Sequence, residues 1–464
     1  MGGSALMSLG SRAMFAASAG MQVTGHNIAN ASVRGYSRQQ VELQTSNGQF
    51  TGAGFFGKGA DVASVTRLFD QNLTRQAAAT QSQAAHDNIR YEQLQRMESA
   101  FPLGESGMGY ATSELFNAMA DLANRPTDVP SREVVLSQAS EVAARFNASA
   151  GQLRAMQSGV TSDLKLEVQA VNDLVERIAQ TNDEIAKVSG IGQPPNDLLD
   201  QRDQLVNDLS KHLQITTVEA SDGTVGVFVA GGQRLVLGAQ TTALMVVADP
   251  GDLSRSALGV RDAGGLRVIS SESLGSGSIG GLLRFQNDDL QAGSEMLDEL
   301  ARAVGERMNA QQALGIDMDG NAGEPLFAPV ADTEGAAYGM RMVITSARGL
   351  AAATADSDNG NALAMAALRD ENFIDTPHFA NATMTDAYSA LVGNIGVRVQ
   401  SARVSSEISA SVAASAEDAR ASKSGVNLDE EAALLIQYQQ AYQAAAKVLQ
   451  IAQQAFETLL QSGG

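Results

Sequence analysis

Leu428, Leu435, Tyr442, Leu449 and Phe456 recur every seven residues near the C-terminus, and Tyr438, Ala445, Ala452 and Leu459 stand three residues after the last four of them. Spacing of this kind commits about 35 residues to one helix whose apolar side is a narrow seam, the pattern by which one helix packs on another. Glu431 alone breaks the seam. Asn427, with Glu430 three residues on, forms a capping box that starts the helix, which then spans on the order of 50 Å to Leu460. The flanks are rich in glutamine, so the seam reads as a helix–helix association surface.

The N-terminus repeats the pattern in softer residues. Met7, Met14, Met21 and Ile28 are spaced by seven, with Gly10, Ala17, Thr24 and Ala31 three residues further on. Methionine fills irregular gaps, but Gly10, Gly20 and Gly25 each cost about 1 kcal/mol inside a helix relative to alanine. With little bulky surface to bury, such a helix forms only against a partner. Both ends are therefore expected to be poorly ordered in an isolated monomer. Arg12 followed by the small apolar run Ala13–Ala19 faintly resembles a secretory signal. The run is short and alanine-dominated, and the helical pattern continues beyond it, which favours an uncleaved amphipathic helix.

Between the ends the chain reads helix, strand, helix. Residues 68–100 and 111–160 are Ala-, Gln-, Leu- and Met-rich, interrupted by loops at 101–109 and 126–130. A second heptad run, Leu164, Val168, Val171, Val175, Ile178 and Ile185, ends at Gly190-Ile191-Gly192-Gln193-Pro194-Pro195, which no helix crosses. A helix over 196–213 follows. Ile215–Glu219, Thr224–Ala230, Gln233–Leu237, Leu244–Val247 and Leu266–Ile269 then read as strands, with hairpin turns at Asp222-Gly223 and Gly231-Gly232. Helical periodicity returns over 281–312 and 386–420. The fold class is mainly α with an inserted β domain. Three units are expected: 1–40 together with 426–464 as a terminal helical unit, 41–212 together with 275–425 as a long-helix middle, and 213–274 as a small β domain.

Composition excludes whole classes of function. Lys+Arg total 32 against 52 Asp+Glu, a net charge of −20, the wrong sign for a phosphate-backbone binder. The absence of cysteine removes disulfides, thiolate metal sites and cysteine nucleophiles, and four histidines are too few for a histidine-rich metal centre. No apolar run approaches the roughly 18 residues of a membrane span. Gly52-Ala53-Gly54-Phe55-Phe56-Gly57-Lys58-Gly59 nearly spells a phosphate loop but lacks the Ser or Thr after Lys58 that holds magnesium, and reads as a glycine-rich hairpin. Asp317-Met318-Asp319-Gly320-Asn321 opens like a calcium loop, yet Ala322 and Ala328 stand where the glycine and bidentate glutamate belong. Asp356-Ser357-Asp358-Asn359-Gly360-Asn361 reads as a solvated loop. Asp197, Asp200 and Asp203, spaced by three, line one helical face as a solvated face or loop clamp. No catalytic, cofactor-binding or metal-binding cluster emerges.

His26-Asn27-Ile28-Ala29-Asn30-Ala31-Ser32-Val33-Arg34-Gly35-Tyr36-Ser37-Arg38-Gln39 resembles the N-terminal motif of bacterial flagellar axial proteins, and its Gly-Tyr-Ser-Arg-Gln ending is similar to the hook-associated protein 1 family rather than to rod or hook proteins. Asn196–Leu205, Ile279–Phe285 and Ser424–Glu431 resemble the same family in matching order along the chain. Two departures stand out: Ser32-Val33-Arg34 replaces the usual Asn-Thr-Pro, which makes the turn less rigid, and little sequence separates Phe327 from Tyr338, where the family often carries an outer β domain. That domain is expected to be absent.

Within the motif, Asn27 and Asn30 can bond local backbone and end a helix, Gly35 allows a positive φ, and Tyr36 anchors the reversing chain. Arg38 is expected to reach an acidic neighbour. The resemblance implies a non-enzymatic structural adaptor between flagellar hook and filament, secreted through the flagellar type III apparatus. Its partners would be the hook protein, the second hook–filament junction protein, an export chaperone on the C-terminal helix and copies of itself in a ring. The seam residues Met7, Met14, Met21, Ile28, Leu428, Leu435, Tyr438, Tyr442, Leu449, Phe456 and Leu459 would form the assembly interface. Rival readings are another flagellar axial protein (a second junction protein or a flagellin), a secreted coiled-coil module or a hydrolase. No cofactor, nucleic acid or membrane insertion is expected.

Overall fold

Helix α1 (Gly2–Asn30) contains five glycines and little bulk, and it lies along the last helix of the chain. The structure, a computed structural model, describes residues 2–51, 54–189, 194–229, 231–262, 264–330, 332, 335–355 and 358–463, without the side chains of 2–4, 49–51, 54–56, 262, 459–460 and 462–463. After α1 comes a long antiparallel hairpin in which β1 (Gln39–Thr45) pairs with β4 (Ala60–Arg67), and β2 (Gln49–Thr51) pairs with β3 (Gly54–Phe56) nearer the tip. The hairpin packs on α1, where Arg12 bonds Ser46 at 2.6 Å and Asp61 at 2.5 Å. Residues 39–67 therefore lie with the terminal helices, whereas the sequence reading began the middle unit at 41. Of the phosphate-loop lookalike, Gly54–Phe56 is a strand of this hairpin, and Gly52 and Ala53 fall outside the described residues.

Three long helices follow. Asp70 caps α2 (Gln71–Glu98) by accepting from the Asn72 and Leu73 amides, and α3 (Met108–Asn124) turns back through the Pro126 loop. Helix α4 (Val129–Val188) begins at the Asp128 cap with Pro130 in its first turn, where the missing N–H costs nothing. Its 60 residues make a rod of about 90 Å. The heptad run read as a separate element is the second half of this rod, and Leu164, Val168, Val171, Val175, Ile178 and Ile185 are all buried. Gly190–Gln193 lie outside the described residues. Helix α5 (Asn196–His212) packs back against α4.

The inserted β unit is two antiparallel meanders. One sheet orders β5 (Ile215–Glu219), β6 (Val225–Val229), β7 (Gln233–Leu237) and β8 (Gln240–Thr241). The other orders β9 (Leu244–Ala248), β10 (Ser256–Asp262) and β11 (Gly265–Ile269). Strand β10 escaped the sequence reading because Gly259 sits at its centre. Both sheets sit on α4, where Asn172 exchanges two hydrogen bonds with the Leu244 backbone and Asn182 does the same with Val225.

The chain re-enters the helical body through α6 (Ser271–Leu274), α7 (Ser278–Arg284), a π-helical turn (Phe285–Leu290) and α8 (Gln291–Ala313). The described residues of 314–383 then form an irregular layer over α3, α4 and α8, with short helices α9 (Ala336–Gly339) and α10 (Gly360–Ala367), 3-10 turns at Ala347–Gly349 and Leu368–Asp370, and single bridges such as Phe327 with Met342. Asp317 uses its carboxylate to accept from the Asp319 and Asn321 amides, so that loop closes as a turn. Finally α11 (Met384–Ser424) runs along α2, and α12 (Leu428–Gly463) runs along α1. The architecture is mainly α with an inserted β unit.

One carboxylate ties three of these elements. Glu167 of α4 is 2.7 Å from His212 Nδ1 at the end of α5, and it accepts from Ser278 Oγ at the start of α7. Burial alone would raise its pKa, but the two bonds outweigh burial and hold it below the ordinary 4.5. A depressed folded-state value adds stability above the unfolded pKa that is lost as pH falls through the folded one. Glu167→Gln is therefore expected to lower the melting temperature at pH 7, with the gap to wild type narrowing toward pH 3. A gap that stays constant across that range would show that the Glu167 charge contributes nothing.

Candidate assembly site

The motif at the end of α1 folds into a turn. Asn30 Nδ2 donates to the His26 carbonyl at 3.0 Å, and the Val33 amide closes onto the Asn30 carbonyl at 2.9 Å. Gly35 takes φ +83°, and a Cβ there would stand 2.7 Å from Gln204 Oε1 of α5. Both the left-handed backbone and the close approach require glycine.

Asn27 is the hub. Only 1% of it is exposed, and its amide is fully used. Oδ1 accepts from Tyr36 Oη at 2.7 Å and the Gln39 amide at 2.9 Å, while Nδ2 donates to the Gln39 carbonyl at 2.9 Å and Glu431 Oε2 at 3.0 Å. Glu431 is the residue that breaks the heptad seam. It is 1% exposed, and its other oxygen accepts from Arg38 Nε at 2.6 Å. Arg38 Nη1 reaches Glu430 at 2.7 Å, and the Arg38 amide bonds the Ser424 carbonyl at 2.8 Å. The break is thus a buried ion pair, and a single polar seam position of this kind specifies register.

A second anchor lies on α5. Asp200 accepts from the Ser37 amide and from Arg67 Nη1, both at 2.9 Å, and Arg67 also pairs with Asp203 at 2.7 Å. Gln39 reaches Asp197 at 3.2 Å, and Asn196 Nδ2 donates to the Val65 carbonyl at 2.8 Å. Asp197, Asp200 and Asp203 together clamp the turn and the hairpin base. Burial, and then the nearby charges of Asp200, Asp197 and Glu431, push the Tyr36 phenol up, keeping it a neutral donor. Burial pulls Arg38 down, but Glu430 and Glu431 outweigh it and hold the guanidinium above its ordinary range.

Along the helix pair the deepest residues are mostly small: Gly10, Ala17, Gly20, Thr24 and Asn27 of α1, and Glu431, Ala445 and Ala452 of α12, whereas Met7, Met14, Met21, Ile28, Leu435, Tyr438, Tyr442 and Leu449 are half-buried. A Cβ at Gly20 would stand 2.6 Å from the Tyr438 ring, and one at Gly10 2.9 Å from Leu449 Cγ. Part of the seam is thus occupied within the chain. Leu428 and Phe456 are exposed, and the Leu459 side chain lies outside the described residues. Sequence reasoning missed the outward apolar residues Leu6, Phe15, Ile436, Val448 and Ile451, which lie off the heptad line, and Arg67, whose carboxylate partners are 133 or more residues distant.

Parts of the chain match known protein families. A family model described as the flagellar hook-associated protein FlgK helical domain matches residues 94–327, just over half the chain. The chain belongs to the FlgK family. A second model, the C-terminal region of the flagellar basal body rod FlgEFG proteins, matches residues 419–462, the end of α11 and nearly all of α12. Flagellar hook-associated protein 1 of Salmonella typhimurium is 28% identical over 541 residues, covering 96% of this chain and 97% of the relative. The Bacillus subtilis protein of the same name is 26% identical, covering 98% and 97%. The solved structure of the flagellar hook junction protein FlgK from Burkholderia pseudomallei shares the fold with a TM-score of 0.68 at 19% identity, covering 74% of this chain and 99% of that one.

For this FlgK-family chain the anchor predicts a measurable cost. Arg38→Ala leaves Glu431 buried with one partner, and removing one member of a buried pair costs about 3 kcal/mol. The expected outcome is early loss of amide protection across residues 5–30 and 431–452 in hydrogen exchange, with α4 unaffected. Unchanged protection at those residues would count against the anchor.

Proposed function

We propose that the chain is a structural adaptor without catalytic activity, joining the flagellar hook to the filament as a ring of copies at the distal end of the hook. Its neighbours in that reading are the hook protein on one side, the second junction protein on the other, and its own copies around the ring. It reaches the site by flagellar export, with a chaperone covering the C-terminal helix before assembly.

The observation that carries the reading is the unfinished terminal pair. Two long helices, locked in register at Asn27 and Glu431, still expose Phe15 at 69%, Ile436 at 55% and Ile451 at 55%. Each such side chain contributes roughly 1.5–3 kcal/mol once covered, enough in a ring to offset ordering of the helices. The family relatives bear the name hook-associated protein, and no described helix is long and apolar enough to cross a membrane.

Phe15→Asp with Ile451→Asp keeps the helix pair but charges its outer face, and is expected to block incorporation into flagella while the purified chain melts as wild type. Leu435→Asp with Leu449→Asp is expected to block incorporation and also to loosen α1 from α12. Cells lacking the gene should show hooks without filaments and flagellin in the medium by electron microscopy. Normal filaments in such cells would remove the adaptor reading.

A further inference from the structure

The sequence holds two Asn-Gly pairs, Asn47-Gly48 and Asn359-Gly360, and the fold treats them in opposite ways. An asparagine before glycine is open to an internal reaction, because without a Cβ the glycine amide can swing onto the asparagine side chain. Asn359 is held against this. Its Nδ2 donates to the Ala123 carbonyl at the end of α3 at 2.7 Å, and its own carbonyl accepts from the Leu363 amide at 3.0 Å as α10 begins. The Gly360 amide donates to Asp358 Oδ1 at 3.3 Å. Asn47 and Gly48 are both exposed and lie between the two ladders of the N-terminal hairpin, outside any strand. Among the described residues neither the Asn47 side chain nor the Gly48 amide has a hydrogen-bond partner. The preceding Ser46 is fixed, its amide on the Gly59 carbonyl at 2.9 Å and its hydroxyl on Arg12 at 2.6 Å. The free pair thus follows directly on an anchored residue. Both ladders keep one register, Thr45 opposite Ala60 and Gln49 opposite Phe56, which sets Asn47 opposite Lys58. Residues directly opposite are side-chain neighbours, and a cation there favours an anionic nitrogen at Gly48.

We propose that Asn47, and not Asn359, is a site of spontaneous deamidation and isoaspartate formation in the folded chain. The reaction goes beyond the adaptor reading and does not depend on it. The Gly48 nitrogen gives its proton to solvent and attacks Asn47 Cγ. The N–Cγ bond forms, the Cγ–Nδ2 bond breaks, and Nδ2 leaves as ammonia with a proton from solvent. Water then opens the resulting succinimide. Cleavage of the new N–Cγ bond gives aspartate. Cleavage of the bond between the Gly48 nitrogen and the Asn47 main-chain carbonyl gives isoaspartate, whose main chain runs through the former side chain and gains a methylene. Water is consumed and ammonia released, and nothing is oxidised or reduced. Either product places a carboxylate near Lys58. Isoaspartate also breaks the register that the two ladders share, which displaces β2 and β3 from the part of the hairpin that Arg12 holds on α1.

The test holds the purified full chain warm in mildly alkaline buffer, samples it over days and digests it with trypsin at mildly acidic pH, where the reaction is slow. Cleavage after Arg38 and Lys58 releases Gln39–Lys58, and cleavage after Arg348 and Arg369 releases Gly349–Arg369, so both pairs are read in one sample by mass spectrometry. The expected result is conversion of Gln39–Lys58 to two products of carboxylic-acid mass, one of them methylated by an isoaspartyl methyltransferase. Gly349–Arg369 should be at least about ten-fold less converted, because its hydrogen bonds must break before the ring can close. Asn47→Gln should melt as wild type and leave its peptide unconverted, since the longer side chain closes a larger ring far more slowly. Asn47 remaining a carboxamide in the folded chain, or Asn359 converting as fast, overturns the inference.

Discussion

A carboxylate out of water is the constraint on which the rest of this fold depends. Glu431 sits 1% exposed in the first turn of α12, on an otherwise apolar seam, where an unpaired charge costs several kcal/mol. Its two oxygens are satisfied only when Asn27 at the end of α1 and Arg38 beyond the turn arrive together. That demand admits one alignment of α1 against α12. The glycines, alanines and methionines along the pair would tolerate a slip by a turn, being soft and small; the buried ion pair does not.

The same turn is tied outward as well as inward. Ser37 and Arg67 converge on Asp200, Arg67 continues to Asp203, and Asp203 holds Arg202, whose Nη1 donates to the Gly223 carbonyl in the turn between β5 and β6 at 2.8 Å. A continuous polar chain therefore joins the terminal helices to the β unit through one face of α5. Apolar packing holds each module together, while these directional bonds set how the modules are aimed. For a part that connects two other structures, aim matters as much as stability.

Periodicity exposed the helices well, since α2, α5, α8, α11 and α12 each carry a buried stripe or a capping residue that can be read directly. Local patterns were less informative where an element lacked its own signature. Gly259 hid β10, and nothing in the pattern marks that the heptads from Leu164 onward continue the alanine-rich run before them as one helix. The irregular layer over 314–383 is held by the buried amides of Gln311 and Asn361 and the half-buried one of Asn309, which leave no periodic trace. The anchor was half legible. Asn27, Gly35, Tyr36 and Arg38 stood out as a motif, but Glu431 read as a flaw because its partner Asn27 lies 404 residues away. Only the folded chain shows that the flaw and the motif are one object.

The sixty-residue α4 has one further property. Gly151 and Gly159 are its only glycines, and neither is pressed by a neighbouring atom within 4 Å. On the N-terminal side of this stretch the rod holds the irregular layer, through Asn147 and the Ala337 and Met340 carbonyls; on the C-terminal side it holds the β unit, through Thr161 and Asn172. Glycine lowers helix stability by about 1 kcal/mol per site, so flexural compliance along the rod concentrates in these nine positions. Under a bending load the molecule yields between its two lateral modules, leaving the terminal joint unstrained.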